Sequence, residues 1–156
     1  MCHFINSKEV KIKMNPIERA DQLFKQKYHC SQAVFAAFAP QFGLTEEQAL
    51  KIGGSFGGGM CKGEVCGAVT GALMVIGLKY GQCRPEDLES KRKTNELTNL
   101  FMENFKQENG SYICRELLKY DLSIEKERAK ILELNLFTTF CPKMVMSATK
   151  ILEEIL

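Results

Sequence analysis

Seven cysteines stand in a chain of 156 residues, and four of them share a local setting. Cys30, Cys66, Cys114 and Cys141 each fall at, or within the first turn of, a segment whose apolar spacing reads as helix. A helix start carries unpaired backbone N–H groups and about half a positive charge, which favours thiolate over thiol and can bring a cysteine from roughly 8.5 toward neutrality. Thiolates are the nucleophilic and metal-ligating form of the side chain. Four such donors converging on one end of a bundle would make a centre of redox-active thiols, or a site for an iron–sulfur cluster or another thiophilic metal.

Cys61 and Cys66, separated by four residues, form the one local pair. A Cys-x4-Cys arc holds two ligands in plant-type ferredoxins, but the Cys-x2-Cys that should follow is missing. Because no Cys-x2-Cys occurs anywhere, the zinc-ribbon and thioredoxin signatures are excluded together. The candidate metal ligands are therefore Cys30, Cys61, Cys66, Cys114 and Cys141, while Cys2 and Cys83 read as incidental thiols. His29, beside Cys30, could ligate metal or deprotonate that thiol, though a surface histidine at a helix start satisfies the same pattern.

Ten of the twelve glycines lie between Gly53 and Gly81. Gly57, Gly58 and Gly59 are consecutive, and Gly67 and Gly71 stand four apart on one helical face, so all five are candidates for close approach of a cofactor or of another backbone. Read as a phosphate cradle, Gly53 to Gly63 fits poorly, since the Gly-Lys-Ser/Thr ending and the preceding strand are both absent.

The elements that must position these groups are helical. Asn15 and Pro16 open a helix to about Lys27, and a second runs from Cys30 to Ala39, where Pro40 stops it. Thr45 to Gln48 reads as a capping box for a third. The segment Cys66–Lys79 is apolar nearly all round, as a buried central helix would be. Pro85 opens the longest helix, to about Asn109; Ser111 caps the next; Ile124–Asn135 is helical and polar-faced; and Cys141-Pro142 launches the last. No segment sustains a period of two. The expectation is all-α: one domain over residues 16–156, a bundle of about six or seven helices around a glycine-containing central helix, with residues 1–15 as an extension.

Composition narrows the function classes. A chain this long can build a core without disulfide staples. Twenty-one basic against nineteen acidic residues leave no surplus for nucleic acid or an anionic membrane. The longest apolar run, Val65 to Leu78, is too short to span a bilayer, and the first fifteen residues lack a secretory apolar region. A cytoplasmic setting follows as the expectation, and there cysteines serve metal or redox chemistry more than structural disulfides.

The series Cys30-Ser31-Gln32-Ala33-Val34, Gly57-Gly58-Gly59-Met60, Cys66-Gly67-Ala68-Val69-Thr70-Gly71, Cys114-Arg115-Glu116-Leu117-Leu118 and Cys141-Pro142-Lys143 resembles the C_GCAxxG_C_C family. The resemblance implies a small all-helical protein whose signature cysteines, here Cys30, Cys66, Cys114 and Cys141, do redox work, with related domains found beside haem and iron–sulfur centres. Relatives often carry Asn at His29, and Gly at Lys119 and at Cys61.

Three functions fit. The first is electron transfer by a thiolate-ligated iron–sulfur cluster or other metal, working with a redox partner protein. The second is metal-free thiol–disulfide or peroxide chemistry by a cysteine pair, and an enzyme of either kind would be an oxidoreductase. The third is a non-catalytic helical interaction module with structural cysteines. A homodimer suits all three, because Phe35, Phe38, Phe137 and Phe140 exceed what a single helix contact requires.

Overall fold

The computed structural model describes residues 14–156, so Cys2, His3 and most of the expected N-terminal extension lie outside it. Among the described residues the chain folds as nine α-helices without a strand: α1 (Pro16–Lys25), α2 (Cys30–Phe38), α3 (Glu46–Gly53), α4 (Gly67–Tyr80), α5 (Leu88–Asn109), α6 (Cys114–Leu118), α7 (Glu125–Glu133), α8 (Leu136–Thr139) and α9 (Cys141–Ile155). The all-α, single-domain expectation is met. The count exceeds six or seven, and α8, which no sequence signal announced, begins after Asn135 turns left-handed at φ 54°.

Most helix ends follow their local chemistry. The Asn15 side chain accepts the Ile17 N–H ahead of Pro16, and Thr45 with Gln48 closes the capping box of α3. Three boundaries moved. Helix α1 ends at Lys25 because Lys27 is already left-handed, at φ 69°. Helix α5 starts at Leu88 rather than Pro85, since it is Asp87 whose carboxylate accepts the Ser90 N–H. Ile113, and not Ser111, is the N-cap of α6; the Ser111 hydroxyl accepts the Ile113 N–H one step earlier.

Helix α2 lies at the middle of the packing and touches α1, α3, α4 and α9. Every residue from Ala33 to Phe38 is buried, so Phe35 and Phe38 fill the core of this chain. Helix α4 packs on α2, α5 and α9, burying Gly67, Ala68, Val69, Gly71, Ala72, Val75 and Ile76. Phe101 and Phe105 of α5 complete this main core, their ring centroids 6.1 Å apart. A smaller apolar cluster forms separately around Cys114, Leu118 and Ile131, with Leu122, Phe137, Phe140 and Cys141 against it. Phe140 packs against both clusters. Among the described residues, no helix is long and apolar enough to cross a membrane.

Candidate redox site

The start of α2 is tied to the end of α3. Ser31 Oγ donates to the Gly53 carbonyl at 2.8 Å, Gln32 Nε2 donates to the Leu50 carbonyl at 2.8 Å, and Gln32 Oε1 accepts the His29 N–H at 2.9 Å. Carbonyls in the last turn of a helix lack intrahelical partners, so these two side chains both satisfy α3 and fix the residue that precedes them, Cys30.

Helix α4 then crosses α2 at the closest approach its glycines permit. A Cβ on Gly67 would lie 2.5 Å from Cys30 Sγ, and one on Gly71 would lie 2.6 Å from the Ser31 carbonyl oxygen. The space beside Gly57 is filled by the His29 ring, whose Cγ would be 2.3 Å from an added Cβ. The groups that approach these glycines closely are thus the chain's own.

Cys66 is the N-cap of α4 and Cys114 the first residue of α6. A single antiparallel bridge, Val65 with Ile113, joins their backbones: the Cys66 N–H donates to the Tyr112 carbonyl at 2.8 Å and the Cys114 N–H to the Glu64 carbonyl at 2.6 Å. Side chains alternate across an extended pair, which puts Cys66 and Cys114 on the same face as diagonal neighbours. The Arg115–Glu64 ion pair straddles the same junction.

Between α3 and α4 the chain makes a left-handed turn. Gly58, Gly59, Met60 and Cys61 have φ of 61°, 60°, 54° and 58° in succession. Only glycine fits at Gly59, where a Cβ would meet the Glu64 nitrogen at 2.4 Å. The Gly58 N–H of this turn is among the groups that lower Cys30, and a Leu122 methyl lies 3.1 Å from where a Gly58 Cβ would stand.

These contacts separate the four thiols. Cys30 is lowered from 9.0 to about 7, first by the hydrogen bond from the Cys66 thiol, then by the backbone N–H groups of Gly58, Ser31 and Cys30 itself, against the opposing effect of burial. Cys66 is pushed well up by donating to Cys30 and by its own burial. It is the Ala68 N–H alone that favours a Cys66 thiolate, so the charge belongs on Cys30. Cys114 rises to about 12 because it is buried and because the Cys30 charge reaches it; Cys141 rises for the same two reasons. The expectation that a helix start would activate all four is therefore corrected: all four sit at helix starts, but at Cys66 the pairing with Cys30 and then burial, and at Cys114 and Cys141 burial, outweigh the dipole.

Cys61 and Cys83 are exposed. Cys61 and Lys119, where relatives often carry glycine, both have positive φ, the second at 63°. Among the described residues no three His, Cys, Asp or Glu side chains are grouped to hold one metal ion. The donor set thus does not fit a multi-cysteine metal centre in this arrangement. The groups that sequence reasoning missed are mostly backbone atoms and second-layer side chains: the glutamate and tyrosine carbonyls of the bridge, Ser31, Gln32 and Leu122. Hydrogen bonding by main-chain atoms leaves no side-chain signature to read.

Residues 28–155 match the family model described as "Putative redox-active protein (C_GCAxxG_C_C)". No curated protein and no solved structure matches the chain.

Proposed function

The chain belongs to the C_GCAxxG_C_C family of redox-active proteins, and from that premise we propose that it is a thiol–disulfide redox protein in which Cys30 attacks and Cys66 resolves. One observation carries this reading: Gly67 lets the Cys30 sulfur rest against the start of α4, 2.5 Å from where a Gly67 Cβ would stand, directly beside the N-cap Cys66, and the pairing of the two thiols lowers Cys30 while raising Cys66. The Cys30 thiolate attacks one sulfur of a substrate disulfide, forming a mixed disulfide and expelling a substrate thiolate. The Cys66 thiol then attacks Cys30 Sγ and gives its proton to the departing sulfur, releasing the second half of the substrate as a thiol. Two electrons pass to the substrate, and Cys30–Cys66 becomes a disulfide. A nucleophile titrating near the ambient pH combines a high thiolate fraction with retained nucleophilicity. Such a dithiol would be kept reduced in the cytoplasm by a partner that supplies electrons.

Reaction of the reduced protein with oxidised glutathione, acid quenching, alkylation and peptide mass mapping test the assignment. The expected first disulfide within the protein is Cys30–Cys66, and Cys30→Ser should abolish glutathione consumption. Reaction at Cys61 or Cys83 with Cys30 untouched would overturn it. The metal reading rests on the same thiols, and it is separated by anaerobic purification with iron, sulfide and zinc analysis: stoichiometric metal with the four thiols blocked would favour it over the dithiol.

A further inference from the structure

Two further thiols, Cys114 buried and Cys141 half-buried, remain outside that reaction. Cys114 and Cys141 begin different helices, yet both pack into the smaller apolar cluster around Leu118 and Ile131, apart from the main core that holds Cys66. The Val65–Ile113 bridge brings this second pair up to the first, because it places Cys114 diagonally beside Cys66 on one face. We propose that Cys114 and Cys141 form a second, internal dithiol that re-reduces the Cys30–Cys66 disulfide through Cys66, so that the protein stores two electron pairs and passes them inward to outward in a fixed order.

The step balances within the chain. Cys114 releases its proton to solvent and attacks Cys66 Sγ; the Cys30–Cys66 bond breaks and Cys30 leaves as thiolate. Cys141 then attacks Cys114 Sγ and hands its proton to Cys66 as the Cys66–Cys114 bond breaks. The pair Cys114–Cys141 ends oxidised by two electrons and the pair Cys30–Cys66 ends reduced by two, with no outside reagent. Two features set the direction. Cys30 is the better leaving group, being the more stabilised thiolate. A dithiol whose reduced form is stabilised by such a thiolate makes the more oxidising disulfide, whereas burial leaves Cys114 and Cys141 as ordinary protonated thiols without that stabilisation. The diagonal spacing across the bridge is about 7–8 Å between Cα atoms, at and beyond the upper end of a disulfide's span, so the Cys66–Cys114 link requires a small backbone shift at the start of α6.

The inference rests on the Cys30–Cys66 reading, and one experiment distinguishes the failure of each. The full chain, reduced and freed of reductant, receives a single two-electron equivalent of diamide and is acid-quenched over a time course before alkylation and peptide mapping. The expected record is a Cys30–Cys66 disulfide at the earliest times that converts to Cys114–Cys141, followed by uptake of a second equivalent at Cys30–Cys66. Cys141→Ser should halt transfer and shift the mapped population to Cys66–Cys114 or back to Cys30–Cys66. A Cys30–Cys66 disulfide that persists, with Cys114 and Cys141 still alkylated after denaturation, would overturn the relay alone. Absence of Cys30–Cys66 at every time would overturn the proposed function beneath it. The wild-type time course decides the matter even if the variant fails to fold.

Discussion

Cys30 and Cys141 occupy the same nominal place, the first residue of a helix, and the helix behind Cys141 is the longer of the two. Cys30 is lowered toward neutrality and Cys141 is pushed up. Helix length cannot account for that. What differs is the supply of donors at the sulfur. Cys30 is followed by Ser31, whose N–H is free to turn toward it, and a left-handed turn from elsewhere adds the N–H of Gly58. Cys141 is followed by Pro142, which has no N–H to give. Phe140 is at once the C-cap of α8 and the N-cap of α9, so the carbonyl end of one helix abuts the amide end of the next and offsets its partial charge. A helix start activates a thiol through the specific N–H groups aimed at it; without them, desolvation decides.

That contrast can be broken from either side. The largest effect is expected from Cys66→Ala, which removes the donor that contributes most to the Cys30 thiolate: the midpoint of the pH dependence of Cys30 alkylation should climb from about 7 toward the ordinary 9.0. An unchanged midpoint would mean that the backbone donors suffice. Gly67→Ala comes next, since its methyl would stand 2.5 Å from Cys30 Sγ and must push the sulfur off its donors. Overpacking of this kind costs about 1–3 kcal/mol, read by urea denaturation, and Cys30 alkylation near neutral pH should slow in parallel.

The pH dependence of stability follows in size. Cys30 is depressed in the folded state, so its contribution is present above 9.0 and lost as pH falls toward about 7. Cys114 is raised, so its contribution is present below 9.0 and lost as pH rises toward about 12. Denaturant midpoints of the reduced protein should therefore rise between about 7 and 9.0 and fall beyond it, and Cys30→Ser should flatten the first limb only. The smallest effect belongs to Pro142→Ala. It restores one N–H beside Cys141, whose titration should move down while staying above that of Cys30, as thiol-specific NMR shifts would report.

Much of this arrangement was legible in the chain. The helix-start placement of Cys30, Cys66, Cys114 and Cys141 followed from caps, prolines and apolar spacing, all of which act locally. The close approach at Gly67 and Gly71 was legible as well, though the neighbour's identity, the backbone and sulfur of α2, depends on tertiary packing. The ranking of the thiols was not legible. It turns on the Gly58 N–H, presented by a turn whose left-handed residues include Met60 and Cys61, types that ordinarily avoid such φ values. Nor could spacing announce the Val65–Ile113 bridge, which joins distant residues through main-chain atoms.

The missing side chain at Gly67 has a further consequence, in chain entropy. Because it lets the Cys30 sulfur rest against the start of α4, a bond between Cys30 and Cys66 would tie off the whole stretch containing α3 and the glycine turn while the helices stay where they are. Closing a loop of that length restricts the unfolded ensemble by an amount worth about 4 kcal/mol. The electron count of the protein is thereby written into its resistance to heat: the oxidised chain should melt later than the reduced one, and a thermal scan with and without reductant becomes a redox reading.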